Sequence, residues 1–304
     1  MKQSTISALK DILSEGDLKV DEKMSAHTSF RVGGPADALI TPRTDEQIVE
    51  CIKVLRGEKE KYFIMGNGTN LLVSDEGYRG CVIQLYKNYS EVSVFGTNVT
   101  AKAGAPLTRI CNEAAKHGLS GLEFACGIPG SLGGAVTMNA GAYGAEMVKV
   151  VRIVRVLDLK YMMKSEYAAS EMNFSYRHSL VKEEPLIVLE VEMELMKGDE
   201  EVIRRRMDEL KEKRNQNQPV DIPSAGSTFK RPEGHYAGKL IEDAGLKGRV
   251  LGGAQISPKH AGFIVNANNA SAKDILKLMI ETQKIVFEKF HVKLEPEICF
   301  LGWK

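Results

Sequence analysis

The feature that most constrains the fold of this chain is a glycine-rich stretch over residues 127–144. It holds six glycines interleaved with small and polar residues: Gly127, Gly130, Gly133, Gly134, Gly141 and Gly144. Each glycine costs a helix up to about 1 kcal/mol relative to alanine, so a core helix is not expected here. Glycine allows the backbone to approach a flat or phosphorylated ligand closely, which favours a cofactor site. A tightly packed irregular loop is the alternative.

A second glycine-rich segment, Gly-Asn-Gly-Thr-Asn-Leu-Leu over residues 66–72, follows a predicted strand. Its backbone amides and small polar side chains suit a bound anion. The pattern is neither GxGxxG nor GxxxxGK(S/T), so neither a Rossmann site nor a P-loop is predicted. Taken alone, the segment is equally compatible with an ordinary turn. The two segments together suit an extended dinucleotide such as FAD, with its pyrophosphate on residues 66–72.

Composition argues against several classes of partner. The 304 residues carry a formal net charge of +1, from 41 basic and 40 acidic side chains, which predicts no nucleic-acid or membrane partner. No apolar run is long enough to span a bilayer and the polar N-terminus lacks a signal-peptide core, which predicts a cytoplasmic protein. The five cysteines form no CxxC pair and the histidines lack metal-ligand spacing, so we predict buried thiols and no metal site.

Local patterns predict an α+β chain of three domains, over residues 1–90, 91–198 and 199–304. Helices are predicted over residues 4–15, 44–56, 106–117, 199–214, 237–244 and 271–290. Strands are predicted on both sides of the Gly-Gly-Pro turn at 33–35, in a hairpin over 91–104, and at 62–65, 80–86, 150–159, 185–195, 251–257, 261–266 and 292–302.

Six motifs occur in an order typical of one enzyme family. They are TSFRVGGPAD (28–37), GNGTNLL (66–72), GIPGSLGGAVTMNAGAYG (127–144), SYRHS (175–179), SAGSTFKRP (224–232) and LEPE (294–297). In this order they resemble the UDP-N-acetylenolpyruvoylglucosamine reductases of peptidoglycan synthesis. The short C-terminal part is similar to the family's compact subclass, which lacks an extra tyrosine-bearing loop.

The resemblance implies both a fold and a reaction. The fold is the FAD-binding fold of the vanillyl-alcohol-oxidase type, in which two α+β subdomains hold FAD non-covalently and a C-terminal α+β domain binds the substrate. The reaction takes electrons from NADPH through FAD, adds hydride from flavin N5 to C3 of the enolpyruvyl group, and adds a proton to C2. NADPH and the sugar use one site in turn, which accounts for the missing Rossmann fingerprint.

The resemblance assigns three catalytic residues, with Ser227 as proton donor, Arg177 as the catalytic arginine and Glu297 as the C-terminal glutamate. Their chemistry suits an enolate-like transition state, which needs a cation at the carboxylate and an acid near C2. Without the resemblance, Ser227 is best interpreted as a turn residue and Arg177 as a solvated loop residue. Glu295, two positions away, is the alternative to Glu297.

The resemblance also assigns binding residues. Those expected at FAD are Gly66, Asn67, Gly68, Thr69, Asn70, Leu71, Gly127, Ile128, Pro129, Gly130, Ser131, Gly133, Gly134, Ala135, Asn139 and Gly141. Those expected at the substrate are Tyr176, Gly226, Lys230 and Arg231, whereas Lys213 and Arg214 either reach a phosphate or end a solvated helix. The alternative functions are an alcohol or hydroxy-acid oxidase or dehydrogenase of the same fold and a non-catalytic flavin-binding module. We expect a monomer with small-molecule partners only.

Overall fold

The computed structural model describes residues 1–303, and contacts within the chain divide it into two compact units. Unit 1 comprises residues 1–19, 38–67 and 80–213. Unit 2 comprises residues 20–37, 68–79 and the chain from residue 214 onward. Each unit is thus built from several separate parts of the sequence. The expected division at residues 90 and 198 stays a prediction.

Seven α-helices lie within residues 1–303. They are α1 Gln3–Ile12, α2 Asp45–Gly57, α3 Leu107–Lys116, α4 Leu132–Thr137, α5 Glu200–Asn217, α6 Ala237–Asp243 and α7 Ala272–Phe290. The hydroxyl of Thr44 caps α2 by accepting the Gln47 amide at 3.2 Å, and Ser271 caps α7 in the same way. None of these helices combines the length and the apolar character needed to cross a membrane.

Eighteen strands complete the described secondary structure, and the mixture confirms the predicted α+β class. They are β1 Leu18–Lys23, β2 Pro35–Ile40, β3 Tyr62–Met65, β4 Leu71–Val73, β5 Tyr78–Gln84, β6 Val92–Phe95, β7 Asn98–Lys102, β8 Leu119–Ser120, β9 Gly141–Ala142, β10 Ala145–Glu146, β11 Val151–Asp158, β12 Met163–Ala168, β13 Leu186–Glu194, β14 Met196–Lys197, β15 Val250–Leu251, β16 Ala254–Ile256, β17 Ile264–Asn266 and β18 Cys299–Leu301.

A five-stranded antiparallel sheet in the order β12-β11-β13-β7-β6 lies at the centre of unit 1. In its middle strand β13, Val191 and Met193 are buried while Glu190 and Glu192 are half-buried, which is the alternation of a sheet with one covered face. Helix α4 packs against this strand. The packing places the glycine-rich stretch that contains α4 on the covered face of the sheet.

Unit 2 is built around the antiparallel sheet β15-β16-β17, against which the long helix α7 packs. Strand β18, near the C-terminus, pairs in parallel with β4, which contains the last two residues of the first glycine-rich segment. The core of the unit includes Phe30, Leu72, Phe229, Ile264 and Leu278. Residues from four of the sequence motifs therefore belong to this unit or border its core.

The predicted strand over residues 29–32 is wrong. The segment is a turn, in which the Thr28 hydroxyl donates to the Val32 carbonyl at 2.9 Å and the Arg31 amide donates to the Thr28 carbonyl at 3.1 Å. Arg31 has a φ of +57°, a left-handed conformation that no regular strand contains. The strand that precedes β2 is β1, which the sequence analysis missed.

Two other strand predictions need correction. The polar segment between β11 and β13 contains β12, a strand that was not predicted and that pairs with β11 from Ile153 to Asp158. Of the strand predicted over residues 292–302, only β18 forms. Pro296 interrupts the segment that precedes β18 and makes only an isolated bridge to Phe229.

The cysteines largely follow the expectation of buried thiols. Cys51, Cys81, Cys111 and Cys126 are buried, whereas Cys299 is exposed. Burial raises the pKa of the Cys51 thiol to about 12, so this group is protonated at neutral pH. The thiol of Cys51 is thus a small apolar core group and not a nucleophile.

Asp45 joins three elements of unit 1 through its carboxylate. It lies 2.6 Å from the Lys164 ammonium and 3.2 Å from that of Lys102, and it accepts the Tyr89 hydroxyl. Burial alone would raise the pKa of Asp45, but hydrogen bonds from Lys164 and Tyr89 and the charge of Lys102 bring it below its ordinary value. The resulting stability is present above the unfolded-state pKa of about 3.9 and is lost as pH falls through the lower folded-state pKa.

We expect Asp45→Asn to lower the free energy of unfolding by about 1–3 kcal/mol at neutral pH, because charge-assisted hydrogen bonds are lost in a half-buried site. Urea unfolding at pH 7 and at about pH 3 should show the difference from wild type shrinking in acid, because below its pKa of about 3.9 the carboxyl of the unfolded chain binds a proton and the advantage of the native ion pairs falls. Glu46→Gln is the control, since Glu46 lies 3.5 Å from Lys164 but its side chain is 77% exposed. An equal loss at both pH values for Asp45→Asn would contradict the assignment.

Candidate active site

The two glycine-rich segments contact each other within unit 1. A Cβ on Gly66 would overlap the hydroxyl oxygen of Ser131, well inside van der Waals contact. The side-chain amide of Asn67 donates to the Pro129 carbonyl at 2.8 Å, and the Gly66 carbonyl accepts the side-chain amide of Gln84 at 3.2 Å. Only glycine at position 66 allows this approach, so the start of the first segment and the loop over 129–131 form one continuous surface.

Main-chain amides at these turns can receive an anion. Within residues 1–303, no protein acceptor takes the amide hydrogens of Gly130 and Ser131 in unit 1, or those of Gly68 and Thr69 in unit 2. Gly68 has a φ of +66°, which glycine adopts at little cost and which turns neighbouring amides toward one side of the chain. Such amides fit the phosphate oxygens of the expected FAD.

Residues 132–137 form helix α4, so the expectation of no helix in the glycine-rich stretch is wrong. Gly133 has a packing role, because its amide donates to the Ala103 carbonyl at 2.7 Å and an added Cβ would lie 2.9 Å from the Ala103 Cβ. The close approach of α4 to Ala103, just after the end of β7, is enough to explain this glycine without a ligand. Gly134 differs, because an added Cβ would have only the Ser131 hydroxyl oxygen within 4 Å, at an ordinary contact distance of 3.5 Å.

Four further residues expected at the cofactor, Gly127, Ile128, Ala135 and Gly141, lie in unit 1. Gly127 and Ile128 follow a short 3-10 turn over Glu123–Ala125, and Ala135 is buried within α4. Gly141 lies in β9, where an added Cβ would be 2.7 Å from the Ala145 carbonyl oxygen of β10. For Ala135 and Gly141 the structure supplies a packing reason, and their contact with FAD stays a prediction.

The glycine-rich stretch holds the SYRHS motif through two side chains. Asn139 is 1% exposed, and its side-chain amide donates to the Ser175 carbonyl at 3.1 Å and to the Glu146 carboxylate at 3.0 Å. The buried hydroxyl of Ser179 donates to the Thr137 carbonyl at 3.0 Å. Both ends of the motif are thereby fixed to the segment expected to bind the cofactor.

Arg177 lies at the tip of this fixed loop. Ser175 and His178 exchange backbone hydrogen bonds of 3.2 Å, which leaves Tyr176 and Arg177 as the two residues of a tight hairpin. Arg177 has a φ of +56°, and its guanidinium lies 5.2 Å from the centre of the half-exposed Tyr176 ring. A 2.7 Å hydrogen bond between the His178 ring and the Glu183 carboxylate holds the base of the hairpin. This hydrogen bond lowers the pKa of the Glu183 carboxyl.

In unit 2 the SAGSTFKRP and LEPE motifs pair as antiparallel segments. The Glu297 amide donates to the Thr228 carbonyl at 2.9 Å, and the Lys230 amide donates to the Glu295 carbonyl at 2.8 Å. Ser227 directly precedes the paired residues. The structure therefore brings together Ser227 and Glu297, which are far apart in the sequence, whereas Arg177 belongs to unit 1.

Gly226 and Thr228 flank Ser227 and explain its placement. Gly226 has a φ of +77°, and an added Cβ there would meet no atom within 4 Å, so open space lies beside the serine. Thr228 is fully buried, and its hydroxyl accepts the Ile264 amide at 3.0 Å. The sequence analysis missed Thr228 and Ser179 as anchoring residues. The sequence signal that could have identified these two residues is that Ser179 lies in the SYRHS motif and Thr228 in the SAGSTFKRP motif.

The basic residues expected at the substrate already have protein partners. The Lys230 ammonium lies 3.1 Å from the Glu295 carboxylate, whose side chain is 71% exposed. The Arg231 guanidinium lies 4.0 Å from the centre of the Tyr236 ring. An exposed ion pair contributes only about 0–1 kcal/mol, so Lys230 can exchange Glu295 for a phosphate at little cost. The choice between Glu297 and Glu295 as the catalytic glutamate stays a prediction.

The last residues of the first glycine-rich segment make their contacts within unit 2. Leu71 is buried and pairs with Cys299 in the parallel pairing of β4 with β18. The side-chain amide of Asn70 donates to the Glu297 carbonyl at 3.1 Å. Lys213 and Arg214 lie within helix α5, and their role at the substrate stays a prediction.

Comparisons with known proteins agree with this arrangement. A family model described as UDP-N-acetylenolpyruvoylglucosamine reductase, C-terminal domain, matches residues 218–301, the range that contains Ser227 and Glu297. A second family model, described as FAD binding domain, matches residues 36–160, which include both glycine-rich segments.

Individual relatives cover nearly the whole chain. A UDP-N-acetylenolpyruvoylglucosamine reductase from Caldanaerobacter subterraneus is 52% identical over 100% of both chains. The crystal structure of such a reductase from Thermus caldophilus is 38% identical, with a TM-score of 0.81 over 94% of this chain and 100% of that chain. A 4-ethylphenol oxidase from Gulosibacter chungangensis is 16% identical, with a TM-score of 0.50 over 64% of this chain and 42% of that chain, which shows a shared fold alone.

We expect Gly66→Ala to lower the melting temperature and the amount of flavin retained on purification, because the new methyl group overlaps the Ser131 hydroxyl and overpacking typically costs about 1–3 kcal/mol. The added substitution Ser131→Ala should restore part of the melting temperature, since it removes the overlapping oxygen. Gly57→Ala is the matched control, because a Cβ on Gly57 meets no atom within 4 Å. Thermal unfolding and flavin absorbance measure both effects, and equal behaviour of the two alanine variants would argue against the close approach.

Proposed function

This chain belongs to the UDP-N-acetylenolpyruvoylglucosamine reductase family, and we propose on that basis that it reduces the enolpyruvyl ether of UDP-N-acetylglucosamine enolpyruvate to UDP-N-acetylmuramate. NADPH is the electron source, FAD is the cofactor, and the reaction is a step of peptidoglycan precursor synthesis. The observation that carries the proposal is the backbone pairing that brings Ser227 beside Glu297 in unit 2.

When bound, FAD supplies the hydride that adds to C3 of the enolpyruvyl group. The role of the chain is to hold its phosphates, and the amides of Gly130 and Ser131 are suited to this because no acceptor within residues 1–303 takes their hydrogens. No histidine lies in either glycine-rich segment, which favours a non-covalent cofactor.

Arg177 is proposed to bind the carboxylate of the enolpyruvyl group. A guanidinium stays charged and offers two parallel N–H donors that match a carboxylate. Charge that develops on this side of the substrate in the transition state would be stabilised by the same contact. The hairpin supports the proposal, because its anchored base and the ring of Tyr176 hold the guanidinium in a defined place at low entropic cost.

Ser227 is proposed to donate the proton to C2, with Glu297 nearby to position the donor or stabilise the intermediate. An alkyl hydroxyl is a weak acid, so it acts only where neighbouring groups stabilise its oxyanion. The open space beside Gly226 is compatible with a substrate that reaches the serine. Gly226, Tyr176, Lys230 and Arg231 are proposed to line the substrate, with the two basic side chains near its phosphates.

The cellular setting follows from the same reaction. We propose that the enzyme works in the cytoplasm, where its nucleotide-activated substrate and NADPH are available, and that it acts as a monomer on small molecules. The near-neutral charge of the chain and the lack of a membrane-spanning helix within residues 1–303 are compatible with this setting.

Ser227→Ala should leave flavin reduction by NADPH within about twofold of wild type but slow reoxidation by the enolpyruvyl UDP-sugar about 10²–10⁴-fold, the usual contribution of a general acid. Anaerobic stopped-flow measurement of flavin absorbance separates the two half-reactions. Ser224→Ala is the control in the same loop, because Ser224 makes a backbone bridge to Val265 that alanine retains. If both half-reactions survive in the Ser227 variant, the serine is not the acid.

Glu297→Gln and Glu295→Gln form a matched pair two residues apart. We expect the first to slow reoxidation by the sugar at least tenfold, because it removes a charge next to the proposed acid. The second should stay within about twofold of wild type, because it breaks only an exposed ion pair with Lys230. The same stopped-flow assay applies, and the reverse order of effects would assign the catalytic role to Glu295. Failure of the sugar to reoxidise the wild-type flavin would instead favour another flavin-dependent oxidoreductase of this fold.

A further inference from the structure

Asn70 connects the first glycine-rich segment to the residue proposed to assist the acid. Its side-chain Nδ2 donates to the Glu297 carbonyl at 3.1 Å, and its own carbonyl accepts the Cys299 amide at 3.0 Å. All three residues belong to unit 2. The side chain of Asn70 is thus hydrogen-bonded to the backbone of the LEPE segment. This segment pairs with the loop that carries Ser227 and continues into strand β18.

The peptide groups on both sides of the Glu297 Cα are hydrogen-bonded. Its amide donates to the Thr228 carbonyl at 2.9 Å, and its carbonyl accepts Asn70. Two fixed peptide planes set φ and ψ at the residue between them, and therefore set the direction of its Cβ. Of these two hydrogen bonds, the first uses only main-chain atoms, whereas the second uses the side chain of Asn70.

Thr228, which accepts the Glu297 amide, also restricts the position of Ser227. It is fully buried, its amide donates to the Gly262 carbonyl at 2.9 Å, and its hydroxyl accepts the Ile264 amide at 3.0 Å. Because Ser227 is its direct neighbour, the frame that fixes Thr228 also limits the serine. A shift of the LEPE segment would therefore change the distance between the two proposed catalytic groups.

We propose that Asn70 is a positioning residue for Glu297 and that its side chain has this role instead of the cofactor contact that the family resemblance implies. The inference rests on the proposed catalytic role of Glu297. Loss of the Nδ2 donor removes this hydrogen bond from the Glu297 carbonyl and loosens the peptide group that follows the Glu297 Cα. A displacement of about 1 Å at a reacting group can cost about 10²-fold in rate.

Asn67 provides a matched comparison in the same segment. Its side-chain amide also donates to a backbone carbonyl, at 2.8 Å, but the acceptor is Pro129 in the second glycine-rich stretch. Asn67→Ala should lower flavin retention, because it loosens the surface formed by the two glycine-rich segments. Asn70→Ala should retain flavin within about twofold of wild type and should instead slow reoxidation by the sugar.

The experiment measures flavin affinity and both anaerobic half-reactions for Asn70→Ala, Asn67→Ala, Glu297→Gln and the double variant Asn70→Ala/Glu297→Gln. Reduction by NADPH should change less than twofold in Asn70→Ala, and reoxidation should slow about 10- to 100-fold. The double variant should reoxidise no more slowly than Glu297→Gln alone, because a residue that acts through Glu297 has no further effect once that carboxylate is gone. Asn70→Asp, which keeps the shape but lacks the donor, serves if the alanine variant does not fold.

Three results would overturn the inference. They are reoxidation at the wild-type rate in Asn70→Ala, a fall in both half-reactions together with the melting temperature, and equal slowing by Asn70→Ala in the wild-type and Glu297→Gln backgrounds. If Glu297→Gln itself reoxidises at the wild-type rate, the proposed role of Glu297 fails first. Slow Glu297→Gln combined with unaffected Asn70→Ala refutes the positioning role alone.

Discussion

Close approach of one backbone segment to another is the constraint on which this structure depends. Gly66 lies against Ser131 and Gly133 lies against Ala103, at distances that no Cβ would allow. In unit 2, a Cβ on Gly77 would likewise overlap the carbonyl of Pro35. The same property that lets glycine approach a cofactor thus serves chain-to-chain packing, so a glycine-rich motif mixes ligand-binding positions with purely structural ones.

Local signals were sufficient for most of the regular elements. Helices α2 and α7 follow from the spacing of their apolar residues and from the caps at Thr44 and Ser271, which are interactions within one or two turns. Strands β11 and β13 follow from long apolar runs that only a well-covered sheet could bury. Where a signal depends on neighbours in the sequence alone, the expected and observed elements agree within a few residues.

The errors arise where distant contacts decide the local conformation. Phe30 and Val32 alternate with polar residues and are both buried, as in a strand, yet the Thr28 hydroxyl closes the segment into a turn. Local patterns also do not reveal the two compact units, because these depend on pairings such as β4 with β18, which join residues 71–73 to residues 299–301. The roles of Asn139 and Asn70 depend on acceptors far away in the sequence, although both residues lie inside recognised motifs.

The pairing of the serine loop with the LEPE segment shows which contacts can set the geometry of the proposed active site. The ion pair between Lys230 and Glu295 is exposed and contributes about 0–1 kcal/mol, too little to fix a register against solvent. Thr228, in contrast, is fully buried, and loss of its hydroxyl would leave the Ile264 amide without an acceptor at a cost of about 1–3 kcal/mol. Register is therefore set by the buried residue between the catalytic positions, which gives the motif a physical reason to extend beyond the serine itself.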